Sequence, residues 1–113
     1  MKTIIAGSRT IVDKIFIKKA IRNSKFIITE IVSGGARGVD SIAIEIAKEW
    51  SIEYVVFPAQ WNIYGKSAGF IRNKQMAEYS DALIAIWDGE SRGTLNMIET
   101  ASKFGLEIFV EKY

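Results

Sequence analysis

The chain has 113 residues, 49% of them hydrophobic and 25% charged, the composition of one globular domain and not of a disordered chain. Lys and Arg number 15 against 13 Asp and Glu, and the net charge of +2 by itself argues for neither a nucleic-acid nor a membrane partner. With no Cys and no His, disulfides, thiolate zinc sites, a cysteine nucleophile and the Ser-His-Asp triad are excluded, and no metal or cofactor is expected.

The opening MKTIIAGSRT reaches a polar Ser-Arg after a short apolar run, too short for the apolar core of a signal peptide. No later run approaches the length of a membrane span, so a cytoplasmic protein is expected. Residues 3–7 (TIIAG) read as a buried strand. Residues 10–22 read as a helix with Val12, Ile15, Phe16, Ala20 and Ile21 on its apolar side and Arg22 and the lysines on a solvated face. EIVSG is the second strand. Beyond its glycines, Val39, Ile42, Ala43, Ile46, Ala47 and Trp50 recur at three- and four-residue intervals, the clearest amphipathic helix in the chain.

EYVVF is a third strand, stopped by the single proline, Pro58. A loop with Trp61, Tyr64 and Gly65 leads into a helix over about residues 67–79. ALIAIW is the fourth strand, residues 93–104 a further helix, and LEIFV a fifth strand. Strands alternating with helices imply βαβ units, and strands without polar alternation imply burial on both faces. The expected fold is a single α/β domain over residues 1–113, a Rossmann-like, doubly wound, three-layer arrangement around a parallel five-stranded sheet.

In such folds ligands bind beyond the carboxyl ends of the strands, where the strand order reverses. The unusual residues fall there: Gly7, Ser8 and Arg9 after strand one; Gly34, Gly35, Ala36, Arg37 and Asp40 after strand two; Trp61 after strand three; and Trp87, Asp88, Gly89, Ser91, Arg92, Gly93 and Thr94 after strand four. Gly34 and Gly35 lack a Cβ, so their backbone is free to take positive φ and to let a ligand approach its N–H groups. The helix that follows points its N-terminus at the same place, and Arg37 adds a planar fork suited to phosphate. GESRGT repeats the device, with Ser91 and Thr94 offering hydroxyls. Asp40 fits a ligand contact or, equally, a bond to turn or helix-start N–H groups. Trp61 and Trp87 fit base stacking or packing, whereas Trp50 belongs to the core stripe.

GSR, SGGARGVDSIA, PAQW, AGFIRNKQMAEYSDALIAIWDG and SRGT, in that order across nearly the whole chain, resemble the SLOG superfamily. That superfamily joins the Smf/DprA DNA-processing proteins with the LOG nucleotide hydrolases, and the likeness is nearest to the small YspA/YpsA-related SLOG proteins of bacteria and phages. The resemblance implies a nucleotide or a nucleotide-derived ligand such as an ADP-ribose derivative at the loops named above. It also implies that Arg72 and Asn73, which open RNKQM, match the segment whose Arg contributes to the LOG active site. GESRGT stands where LOG enzymes have a phosphate loop followed by a catalytic glutamate, but here Leu95, Asn96 and Met97 take those positions with no carboxylate among them; of the possible substitutes Asp88, Glu90 and Glu99, Asp88 is the best placed, at a strand end.

The expectation is therefore a nucleotide-binding sensor or sequestering module, self-associating as SLOG relatives often do. An N-glycosidase with Asp88 as acid/base and Arg72 positioning phosphate or ribose ranks second. Single-stranded DNA binding, with a groove built from Trp61, Tyr64, Lys66, Arg72 and Lys74, ranks third.

Overall fold

The computed structural model describes all residues, 1–113. Its five strands are β1 (Lys2–Gly7), β2 (Glu30–Ser33), β3 (Glu53–Val56), β4 (Ala82–Trp87) and β5 (Glu107–Lys112). Its helices are α1 (Lys14–Ser24), α2 (Val39–Glu49), the single turn α3 (Trp61–Tyr64), α4 (Ala68–Tyr79) and α5 (Arg92–Lys103), with a 3₁₀ turn at Gly65–Ser67. All strands pair in parallel in the order β3-β2-β1-β4-β5, the doubly wound arrangement expected.

The two-residue period of a strand sorts the core into two halves. Ile5, Ile31, Ile84 and Ile86 point to one face and meet Ile17, Ala20 and Ile21 of α1 and Val39, Ala43, Ile46 and Ala47 of α2. Ile4, Ala6, Val32, Leu83 and Ala85 point to the other and meet Met76 and Ala77 of α4 and Met97 and Ala101 of α5. Continuous burial holds for the central strands β1 and β4. The edge strands β3 and β5 are covered less, and Tyr54, Val56 and Val110 are exposed. No helix is long and apolar enough to cross a membrane.

The first helix departs from expectation. It begins at Lys14, because Asp13 adopts an extended conformation and its Oδ1 accepts the Phe16 N–H at 3.0 Å, an N-cap. From that start the buried stripe is Ile17, Ala20 and Ile21, which leaves Val12 70% and Ile15 81% exposed. An Ile15→Glu substitution is accordingly expected to change stability by no more than about 0.5 kcal/mol in urea denaturation. A large loss would restore Ile15 to the core. Trp50 lies half-buried against the α1–α2 core with the Arg22 guanidinium 5.1 Å from its ring centre. The segment after Pro58, expected as loop, winds into α3 because the Gln60 carbonyl accepts from both Ile63 and Tyr64 N–H at 3.0 Å.

Candidate ligand cleft

Strand order reverses between β1 and β4, and the largest cavity of the molecule, about 530 Å³, opens there. A second depression of about 400 Å³ adjoins it, with Arg9, Ala36, Trp61 and Arg72 common to both walls. Gly7, Ser8, Asp40, Asn73, Asp88, Ser91, Gly93 and Thr94 line the first, and Gly34, Gly35 and Arg37 line the second. Trp87, Gly89 and Arg92 line neither, although the sequence placed them at the ligand.

The glycines of SGGARG have a structural reason distinct from a ligand. A Cβ on Gly34 would run into the Arg72 guanidinium and lie 2.8 Å from Asp40 Oδ2, so this glycine admits the protein's own charged groups. Gly34 does not adopt positive φ; Gly35 (φ 74°) and Gly38 (φ 75°) do. At Gly38 a Cβ would also lie 2.5 Å from the Ser8 and Arg9 carbonyl oxygens. The loops after β1 and β2 thus approach each other more closely than any side chain allows.

Arg72 joins the two glycine turns. Its Nη1 donates to the Gly34 carbonyl at 2.7 Å and its Nε to Asn73 Oδ1 at 3.1 Å. Asn73 Nδ2 donates onward to Asn96 Oδ1 at 2.9 Å and the Gly93 carbonyl at 3.3 Å. The buried Asn73 is therefore occupied by the protein and holds the start of α5 in place. Burial lowers the pKa of Arg72, and the neighbouring Asp40 carboxylate acts against that shift. An Arg72→Ala change leaves the Gly34 carbonyl without its donor and Asp40 without its counter-charge. It is expected to cost about 1–3 kcal/mol in chemical denaturation. Arg72→Lys should not recover the loss, since a single ammonium cannot reproduce the planar fork between Gly34 and Asn73.

Asp40 is 6% exposed, and its Oδ2 accepts the Ala36 N–H at 3.3 Å. Its carboxylate folds back onto the turn before α2, as one of the two roles the sequence allowed, and it also lines the cavity. Desolvation pushes its pKa up to about 6, against the attraction of Arg72 and Arg9.

In the turn before α5, one oxygen of Asp88 accepts the Glu90 and Ser91 N–H groups, both at 2.8 Å. These two bonds lower the Asp88 pKa and hold one of its carboxylate oxygens on the turn. Ser91 caps α5, accepting from the Thr94 N–H at 3.3 Å and bonding the Thr94 hydroxyl at 3.0 Å. The Trp87 indole N–H donates to the Ser91 carbonyl at 3.1 Å, so this ring braces the turn from behind and is not placed for stacking. Trp61, 50% exposed and standing against Gly69, is the tryptophan at the cleft.

The sequence reading missed part of the floor. Met76 and Met97 are buried beneath the cavity, and Phe70 and Glu90 stand at its rim. A signal existed for α4: Gly69, Asn73 and Met76 recur at helical spacing and share the face turned to the cleft. Glu90 had no such signal.

No family model matches the chain. Among solved structures, it superposes on the DNA processing protein A (DprA) of Streptococcus pneumoniae with a TM-score of 0.78 at 20% identity, covering 96% of this chain and 49% of that one. It superposes on the Helicobacter pylori DprA, described for its unique single-stranded DNA binding mode, with a TM-score of 0.74 at 24% identity, covering 97% of this chain and 64% of that one. The chain thus spans about half to two-thirds of those proteins and shares their fold, the fold that the Smf/DprA resemblance implies. In sequence, it is 30% identical over 117 aligned positions to the Gene 61 protein of Mycobacterium phage D29, across 95% of this chain and 93% of that protein. With that identity along nearly the full length of both, the chain belongs to the family of the phage D29 Gene 61 protein.

Proposed function

We propose that residues 1–113 form a binding domain for a phosphate-bearing, nucleotide-derived ligand, acting as a sensor or sequestering module of the YspA/YpsA-related SLOG type. One observation carries the reading. At the strand-order reversal a cavity of nucleotide-accommodating size combines an apolar floor, an exposed tryptophan and cations that the protein leaves unpaired. The three ion pairs of the molecule all join Lys14 or Lys18 of α1 to Glu45 or Glu49 of α2. Arg9 and Lys66 on the cavity wall, and Arg37 in the adjoining depression, take part in none of them. Binding is favoured over glycosidic cleavage, because Asp88 is committed to its own turn and α5 offers Asn96 and Met97 where a carboxylate is needed.

Single-stranded DNA is the second reading, and the shared fold with a DNA-binding DprA favours it. The open second depression beside the cavity would let a strand continue past one seated nucleotide.

A thermal-shift screen of nucleotides, ADP-ribose derivatives and oligothymidylates of increasing length tests both. A ligand at a hundred times its Kd adds about 2.7 kcal/mol of stability, enough to move the midpoint by several degrees. Binding of mononucleotides without dependence on strand length supports the first reading. Affinity that climbs with length and collapses with salt replaces it by the second. Chromatography of each ligand after incubation checks for cleavage, and free base among the products would overturn the binding-only reading. We further propose that the protein self-associates and works in the cytoplasm; sedimentation at several concentrations tests the association.

A further inference from the structure

The two depressions differ in charge. Arg9 and Arg72 stand on the wall common to both; the larger cavity adds Lys66 and the carboxylates of Asp40, Asp88 and Glu90. The adjoining depression has Arg9, Arg37 and Arg72 and no carboxylate. Arg9 and Arg37 are exposed and make no side-chain hydrogen bond or ion pair that would have to be broken for a ligand. The GESRGT turn, by contrast, already uses its Glu90, Ser91 and Thr94 N–H groups on Asp88 and Ser91.

We infer that the two depressions take different parts of one ligand: the carboxylate-free depression with Arg37 holds the phosphate group, and the carboxylate-bearing cavity holds the uncharged nucleoside, with Trp61 at the boundary. This rests on the nucleotide reading above and adds an orientation to it. The nucleoside enters toward Met76 and Met97, and the Glu90 carboxylate on the same cavity wall, which has no partner in the protein, can accept from sugar hydroxyls or a base amino group. The phosphates stay outermost. Guanidinium groups match phosphate oxygens in pairs, and the two that make no bond within the protein, Arg9 and Arg37, suit more than one phosphate charge, while Arg72 is already bonded to Gly34 and Asn73. The ligand class is thus a nucleoside carrying a diphosphate or longer phosphate chain, in preference to a monophosphate. Arg37 reads the phosphate, because it lines the outer depression alone.

The test uses the whole chain with inorganic pyrophosphate as first probe, followed by adenosine, AMP and ADP and by thymidine, dTMP and dTDP. Amide chemical-shift mapping with pyrophosphate is expected to move residues 35–38 and leave residues 90–94 unmoved. Arg37→Ala should weaken pyrophosphate about tenfold and abolish the gain from monophosphate to diphosphate, leaving nucleoside affinity within about twofold. Lys66→Ala should weaken pyrophosphate less than Arg37→Ala does, and Lys19→Ala, on the exposed side of α1 away from both depressions, should leave it within about twofold. Shifts at residues 90–94, a larger loss with Lys66→Ala than with Arg37→Ala, or no pyrophosphate binding at millimolar concentration overturns the inference. Pyrophosphate bound at residues 35–38 with every nucleoside and nucleotide silent keeps the phosphate site and removes the nucleotide reading, so the two fail separately.

Discussion

Replacing Gly38 by alanine is expected to destabilise the protein by about 2–5 kcal/mol, the largest single-site effect among the loop residues. Two costs combine. Gly38 holds φ 75° and ψ −130°, a backbone region that L side chains rarely adopt and that costs about 1–3 kcal/mol to force. The new Cβ would lie 2.5 Å from two backbone oxygens, Ser8 O and Arg9 O, neither able to swing away as a side chain would. Relief requires the loop after β1 to retreat. That retreat would break the bonds by which the Ser8 carbonyl accepts from Val39 N–H at 3.3 Å and Ile11 N–H at 3.4 Å. Urea denaturation measures the effect, and Gly93→Ala is its control. Nothing lies within 4 Å of a Cβ built at Gly93, and the residue sits in the first turn of α5, where alanine adds helix propensity. That variant should be unchanged, or more stable by up to about 1 kcal/mol. A Gly38→Ala protein as stable as the parent would mean that the close approach of the two loops is wrong.

The second large effect is a dependence of stability on pH that Asp40→Asn removes. In the unfolded chain Asp40 titrates near its ordinary value of 3.8; in the fold desolvation raises it to about 6. Between those values the folded state holds a proton that the unfolded state has released, so stability falls as pH rises through this window. The pKa difference corresponds to about 3 kcal/mol lost by pH 7 relative to acid, as an order of magnitude. Asparagine keeps an oxygen for the Ala36 N–H and cannot ionise. The variant's stability curve should therefore be flatter between pH 4 and 7, and at pH 7 the variant should be the more stable protein. Parallel curves for the two proteins would show that Asp40 keeps an ordinary pKa.

The positions of these two residues show what sequence can and cannot reveal. The alternation of apolar strands with amphipathic helices was legible because parallel strands buried on both faces need unbroken runs such as IIA and ALIAI, while a helix over them needs apolar residues at three- and four-residue spacing. From that pattern came the doubly wound sheet, and from the sheet came the edge where the loops gather. The first helix was misphased because the apolar positions of a short stretch fit more than one start. Asp13 settles the start by capping, and Ile17 replaces Val12 and Ile15 in the core.

The sequence alone determined the fold class and the set of loops that form the cleft, because both follow from local periodicity and from where glycines interrupt it. Only the tertiary structure decided what each loop residue does. Gly34 admits Arg72, which comes from α4; Asn73 reaches α5; Trp87 turns behind the β4–α5 loop while Trp61 stands at the cleft. The sharing of charge between the two depressions has the same origin, since Arg9, Arg37 and Arg72 come from three different loops and helices. Hydrogen bonds and charge pairing act over a few ångströms, and residues far apart along the chain reach that range only once the sheet has brought its loops to one edge.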